Sequence, residues 1–566
     1  MTALDFRTYR ADAPDAQQVH AEYDALEREA REASSAGEAR AAVARWDALR
    51  RRLATWQSLV GIRFSQDTQD SAAKAALEQR DAFAPQLTRR DVQLKRLLLA
   101  SPWRDALAAD LGPQALALWE CDVASFDPAI EDDLVRQARL AARYTELLAS
   151  AQFDFQGERL TLSELGKFAE HPARDVRRGA AELRWGWFAD RQRELDDLFG
   201  ELVGLRHGVA QKLGQSHFTP VAYQWMRRTD YAEADVARFR DEVRRHVVPL
   251  ATEIRRQQAR DLGVDPLMAW DEGLHDPRGN PRPVGDYDGM LRSAAALFAE
   301  LDDELAAFFA QMERCWLMDL RARPGKAGSG YCDALPDLGM PFIFANFNGS
   351  KGDVEVFTHE MGHAFQAYCS RDLPLIDYLW PTSEACEIHS MGLEFLAWPA
   401  MEQFFGADAE RFRRLHLVGA LVFLPYACAI DHFQHEVYAR PDDSPAERAA
   451  TWRAMERLYL PHLQWGDLAH PASGRRWQSQ LHVYLHPFYY IDYALALTCA
   501  LQLWVLAGAD RPQALQRYVQ LCRRGGSEPF AALVASAGLR SPFAADSLRD
   551  AVARAADFLG LEPAAR

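Results

Sequence analysis

The chain has 566 residues, 48% hydrophobic and 26% charged, a globular composition too long for one ordinary core, so two or more lobes are expected. Lys and Arg number 65 against 81 Asp and Glu, a net charge of -16, which argues against a nucleic-acid or anionic-membrane partner. The opening MTALDFRTYRADAPDAQQ has acids where a signal peptide needs a basic and then an apolar run, no stretch approaches about 18 apolar residues, and the eight Cys form no C-x-x-C pair. A cytoplasmic chain with reduced, mostly buried thiols is expected, with no membrane partner.

In chain order, residues 15–60 and 68–110 place apolar and charged residues at helical spacing and are rich in Ala, Leu, Arg and Glu. Residues 130–215 continue the pattern, with FDFQGERLTLSELGK as a small extended excursion before a helix. Residues 262–287 carry Pro, Gly, Asp and Asn and read as a long irregular connection, after which helices return to about 312. Between 315 and 348 the pattern changes, and WLMDLRA and PFIFANF are strand candidates. The run from Asn346 to Asp353 is turn chemistry. From 383 the chain is helical almost to its end, so the fold class is mainly α with a small sheet.

Directly after that sheet stands His359-Glu360-Met361-Gly362-His363. On a helix the two histidines are four residues apart and share a face, so their imidazoles can grip one zinc ion, with Glu360 beside them as general base toward an activated water. The competing reading is a helix with two ordinary surface histidines. A strand next to such a helix also has a use. If PFIFANF offers a free edge, Phe344, Ala345 and Asn346 can pair with an extended peptide; an ordinary structural strand is the alternative.

A catalytic zinc needs three protein ligands and an open position. Gln366 and Cys369 stand where a metzincin would have Gly and His, so the third ligand is sought on a following helix. PTSEACEIHSMGLEFLAW supplies Glu384, Glu387 and Glu394. Glu384 suits a helix-dipole role in the first turn. Glu387 and Glu394, seven residues apart, share a face otherwise lined by apolar side chains, where carboxylates need partners. Glu387 is assigned as ligand, and Glu394 as the acceptor that orients a ligand histidine. Near the C-terminus, HVYLHPFYYIDY offers His482 and Tyr493, with Tyr489 or Tyr490 between them, as donors to a developing oxyanion, against the alternative of an aromatic core stripe.

These motifs resemble the oligoendopeptidase F family, related to the thimet oligopeptidases. GYCDALPDLGMPFIFANFNGSKGDVEVFTHEMGHAFQ, EACEIHSMGLEF with Glu387, Ser390 and Glu394, and HVYLHPFYYIDYALA carry the resemblance, as does LRHGVAQKLGQSHFTPVAYQWMRRTDY upstream. It covers roughly residues 190–510. It implies a two-lobed, mainly α zinc endopeptidase acting on short unfolded peptides in a deep channel, with an N-terminal helical lobe over 1–190 and a catalytic domain over 191–566. It implies one zinc per chain on His359, His363 and Glu387, Glu360 as base, and His482 with the tyrosines as transition-state donors; Tyr493 fits either register of the motif, whereas Tyr489 and Tyr490 exchange. A carboxypeptidase or dipeptidase on the same scaffold, and a peptide-binding protein without activity, are the rival readings.

Overall fold

The computed structural model describes residues 4–561 except Ser329. Three long helices open the chain: α1 (Ala16–Glu32), α2 (Ala36–Gln66) and α3 (Ser71–Leu99). Each begins at a residue whose side chain accepts a backbone N–H of the first turn: Asp15 from Gln18, Ser35 from Glu38, and Asp70 from Ala72 and Ala73. The cap at Ser35 splits what the periodicity alone presents as one helix. Among these helices and the next two (Arg104–Leu111 and Pro113–Ala124) lies a hydrophobic core of its own, in which Trp46 packs edge-on against Trp119 with ring centroids 5.4 Å apart. It draws Leu375 and Tyr378 from the distant chain.

Residues 130–190 contribute instead to the large core. Tyr144 stacks on Tyr484 at 3.9 Å and its hydroxyl donates to Gln478 O at 2.9 Å. The extended excursion is an antiparallel hairpin of β1 (Gln152–Phe155) and β2 (Glu158–Thr161). Its turn residues, Gln156 and Gly157, both have positive φ, as a two-residue type I′ turn requires.

A three-stranded sheet lies ahead of the histidine helix: β3 (Met318–Arg321), β4 (Tyr331–Leu335) and β5 (Met340–Phe347), in the order β3-β5-β4. β5 pairs parallel to β3 and antiparallel to β4. The strand PFIFANF is therefore the middle of the sheet, and the expectation of a free edge at Phe344, Ala345 and Asn346 is corrected. Phe344 and Ala345 are buried, and Asn346 Nδ2 donates to Ala327 O at 2.8 Å. The outer edges belong to β3 and β4, and β4 is the one that runs beside the histidine helix. Ala334 turns its N–H away from β5 to Asp333 Oδ1 at 2.7 Å, so Cys332, two residues earlier, directs its backbone groups to the same side. α2 covers the far half of that edge: Ser58 Oγ donates to Asp333 Oδ1 at 2.9 Å, and Asp337 N to Thr55 Oγ1 at 2.8 Å.

Helices then complete the fold: α4 (Lys351–Ser370), α5 (Ser383–Leu396), α6 (Ala409–Ala439) and α7 (Tyr490–Ala509), with α5 packed between α4 and α7. By length and composition α6 and α7 are apolar enough to cross a membrane, yet more than half of each apolar stretch is buried inside the molecule, as in core helices. The eight cysteines are free.

His470 is buried beside the rings of Trp185 and Phe188, whose centroids lie 6.2 Å away. Burial, with the nearby Arg475 cation, lowers its pKa to about 4. The unfolded chain protonates this ring near pH 6.5, so between about pH 6.5 and 4 it binds a proton that the folded chain refuses, and stability falls as pH falls through that window. His470→Gln should therefore lose less stability than wild type between pH 7 and pH 5, by roughly 1–2 kcal/mol, in urea unfolding. Parallel losses would contradict a neutral buried His470.

Candidate metal centre and active site

The turn expected after β5 ties the sheet to α4. Asp353, in the first turn, accepts the backbone N–H groups of Asn348 at 2.9 and 3.0 Å and of Gly349 at 2.7 Å. Two turns on, His359 and His363 project together, with ring centroids 4.9 Å apart. Between them, Gly362 faces α5. A Cβ at this position would lie 2.4 Å from His389 O and 2.6 Å from Ser390 Cα, so only glycine allows the two helices to approach so closely.

That approach sets Glu387 against both histidines. His359 Nε2 and His363 Nε2 lie 3.2 and 3.4 Å from one oxygen, Glu387 Oε2, and the three ligand atoms all fall within 4.8 Å of one another. Ligands bonded to zinc at about 2.0–2.1 Å in a tetrahedral site are themselves about 3.3 Å apart. The donor set and its spacing therefore fit a zinc ion. Glu387 is also held from outside the set: Ser390 Oγ donates to Oε2 at 2.9 Å and Tyr489 OH to Oε1 at 3.1 Å.

Glu394 meets the other nitrogen of His359, with Nδ1 to Oε1 at 2.7 Å, which leaves Nε2 toward Glu387. Its second oxygen meets His416 Nε2, also at 2.7 Å, and Trp398 Nε1 donates to His416 Nδ1 at 3.2 Å. Burial alone would raise the Glu394 carboxyl; the hydrogen bonds to His359 and His416 outweigh it and hold the pKa at about 2. Glu387 follows the same logic: burial pushes it up, but the charge of His363 and the bonds to the two imidazoles bring it well below the usual carboxylate range. Both carboxylates thus stay ionised although largely buried, each held against an imidazole. Glu384 is different. It stands in the first turn of α5 as expected, but fully buried there, and burial raises its pKa with the Arg228 cation opposing.

Glu360 is 8% exposed, and burial raises its pKa against the nearby histidines. The chain at Gly330, just before β4, passes beside it: a Cβ there would be 4.0 Å from Glu360 Oε1 and 3.7 Å from Phe344 O. The open edge of β4 therefore starts next to the Glu360 carboxyl.

The C-terminal motif comes to the same place. His482 and Tyr493 have ring centroids 6.0 Å apart, Tyr489 and Tyr493 5.1 Å. His482, Tyr490 and Tyr493 line a cavity of about 620 Å³ with Glu394, Met391 and Phe423, among others. Tyr489 bonds the candidate ligand Glu387, while Tyr490 packs against Phe423 and Tyr426. Burial lowers the pKa of His482 to about 4 and raises those of Tyr489 and Tyr493, so at neutral pH the imidazole is neutral and both phenols keep their protons. Tyr426 OH donates to Gln480 Oε1 at 2.9 Å, and Gln480 Nε2 donates to His482 Nδ1 at 2.8 Å. This chain puts the His482 proton on Nε2. His416, Gln480 and Tyr426 were not singled out from the sequence. Only the spacing Gln480-x-His482 carries a local signal for any of them.

Comparisons with known proteins show the family of the chain. The Peptidase M3 N-terminal domain matches residues 6–126, and Peptidase family M3 matches residues 299–552. Among solved structures, one provisionally assigned as an oligoendopeptidase F is 44% identical, with a TM-score of 0.93 and 99% of each chain covered. PZ peptidase A with an inhibitor is 40% identical at a TM-score of 0.93, over 98% of this chain and 99% of that one. A provisionally assigned oligoendopeptidase F from Bacillus anthracis str. Ames is 38% identical at 0.89, over 99% of each. A search among curated proteins found no match. The chain belongs to peptidase family M3, and within it to the oligoendopeptidase F group.

Gly362→Ala tests the helix crossing. A methyl group 2.4 Å from a backbone oxygen must push α4 from α5, at a cost near the top of the usual overpacking range, about 3 kcal/mol. Urea unfolding of the variant should show that loss; unchanged stability would mean the helices are not so close.

Proposed function

We propose that the protein is a zinc-dependent oligoendopeptidase that hydrolyses internal bonds of short, unfolded peptides. The observation that carries this reading is the convergence of three features. The His359–His363–Glu387 donor set is tied to the cavity wall through Glu394, the C-terminal tyrosines reach Glu387 through Tyr489, and the buried Glu360 carboxylate lies beside the start of β4.

His359, His363 and Glu387 would hold the zinc, which when bound supplies Lewis acidity to the scissile carbonyl and acidifies water. Glu360 takes the proton of the attacking water and returns it to the leaving amine. Its burial makes it a stronger base than a solvated carboxylate. Glu394 keeps His359 in one tautomer through the bond at Nδ1. His482, with its proton on Nε2, and Tyr493 are the donors for the negative oxygen that develops during attack. Tyr489 steadies Glu387, and Tyr490 walls the cavity. The substrate lies as a further strand on the Cys332 side of β4, with the Glu360 carboxyl beneath it.

A strand laid on that edge must be extended, and α2 already occupies the half beyond Asp333. A folded protein cannot supply such a segment without unfolding, which costs about 5–15 kcal/mol. Peptides of several residues, blocked at both ends, should be cut internally, while native globular proteins should survive. Glu360→Gln should keep the fold and lower kcat by about 10²–10⁴-fold, the usual worth of a general base. Near-wild-type turnover in that variant would remove Glu360 from the mechanism, and cleavage limited to peptides with a free C-terminus would make the enzyme a carboxypeptidase.

A further inference from the structure

A second constellation of ligand-type side chains lies outside this site. Glu242 ends the helix Glu233–Glu242, which continues through a π turn at Val243–Val247 into the helix Val248–Leu262. His246 sits one turn after Glu242. Asp546 belongs to the segment just before the last helix, Arg549–Leu559. His246 Nε2 lies 3.4 Å from Glu242 Oε2 and 3.3 Å from Asp546 Oδ1, and the three atoms fall within 4.8 Å of one another. These spacings repeat those of His359, His363 and Glu387.

The His246 side chain is 10% exposed and that of Glu242 12% exposed. Despite the short distances, neither His246 Nε2 nor Glu242 Oε2 makes a hydrogen bond. A buried imidazole paired directly with a carboxylate would point its N–H along the line to an oxygen. Here both oxygens stand off that line, as co-ligands do when an ion occupies the position the nitrogen faces. Two unpartnered buried polar atoms 3.4 Å apart are also costly unless something satisfies them.

We infer that Glu242, His246 and Asp546 form a second metal site, for a divalent transition-metal ion of the zinc type. One imidazole nitrogen and two carboxylate oxygens, with no thiolate, suit such an ion. Two guanidinium groups oppose it: Arg245 Nη1 at 3.6 Å from Asp546 Oδ1 and Arg549 Nη1 at 3.5 Å from Oδ2. Both side chains are more than half exposed, so solvent screens them and they can swing aside. They make this site weaker than the one at His359, filled when free ion is present and emptied by dialysis without it. Asp546 is held in place by Arg540, whose Nη1 donates to its backbone oxygen at 3.0 Å. An ion there joins the helix through His246 to the C-terminal segment.

Equilibrium dialysis of the full chain against free zinc in excess, followed by elemental analysis, tests this. Wild type should bind about one zinc per chain more than His246→Ala, and about one more than the near-isosteric Glu242→Gln. The comparison is a difference, so it holds whatever the occupancy of His359, His363 and Glu387. Free zinc should also raise the melting temperature of wild type above its value without free zinc, and raise those of the variants less. Equal zinc content in wild type and in Glu242→Gln would overturn the site and leave these groups as a plain ion-pair cluster.

Discussion

Two carboxylates on α5 stand against the imidazoles of α4, and almost everything near the centre follows from holding all four largely out of water. Glu387 is 5% exposed, and Glu394 lies against His359 and His416 at 2.7 Å each. Such a group of acids survives burial only with compensating charge and hydrogen bonds. The helix crossing at Gly362 brings the two faces within reach, Ser390 and Tyr489 fix the Glu387 rotamer, and the Trp398–His416 bond fixes the far side of Glu394. The same requirement gives the His-His-Glu set its fit for a divalent cation.

The N-terminal helices contribute through the sheet, not through the chemistry. α2 meets β4 by Ser58 and the turn after β4 by Thr55, and it reaches the segment after α4 by Arg50 to Asp377 at 2.7 Å and by Asp47, which accepts Ile376 N at 2.7 Å. Tyr378 OH donates to Leu111 O at 2.7 Å on the other side of that separate core. These contacts hold the open end of β4 at a fixed place relative to Glu360. A peptide laid along that edge would therefore meet a preorganised base, so that little of its binding free energy goes into arranging the site.

Much of this was legible in the sequence because the signals were local. The four-residue step between His359 and His363 and the seven-residue step between Glu387 and Glu394 are helix-face arithmetic. The capping and turn residues around 346–353 mark the entry to α4. What was not legible is non-local. The pairing order of a sheet is not written in any one strand, so PFIFANF read as a candidate edge although β3 and β4 flank it. β4 itself is five residues between Gly-rich and Pro-rich stretches and gave too short a pattern. His416 sits on α6 in no motif with the other histidines of that helix, His432 and His435, and only the three-dimensional approach of Glu394 gives it a role. The break at Pro487 likewise separates His482 from Tyr490 and Tyr493, so one helical face does not describe the motif.

The account stands or falls on Glu387 as the third donor of a metal centre. The direct measurement is the zinc content of wild type and of Glu387→Ala after dialysis against buffer without free metal, with the fold checked by circular dichroism. Wild type should retain about one zinc per chain and a folded Glu387→Ala almost none, as expected when a three-ligand site loses a charged ligand. A folded Glu387→Ala that kept its full complement of zinc would contradict the account and place the third ligand elsewhere.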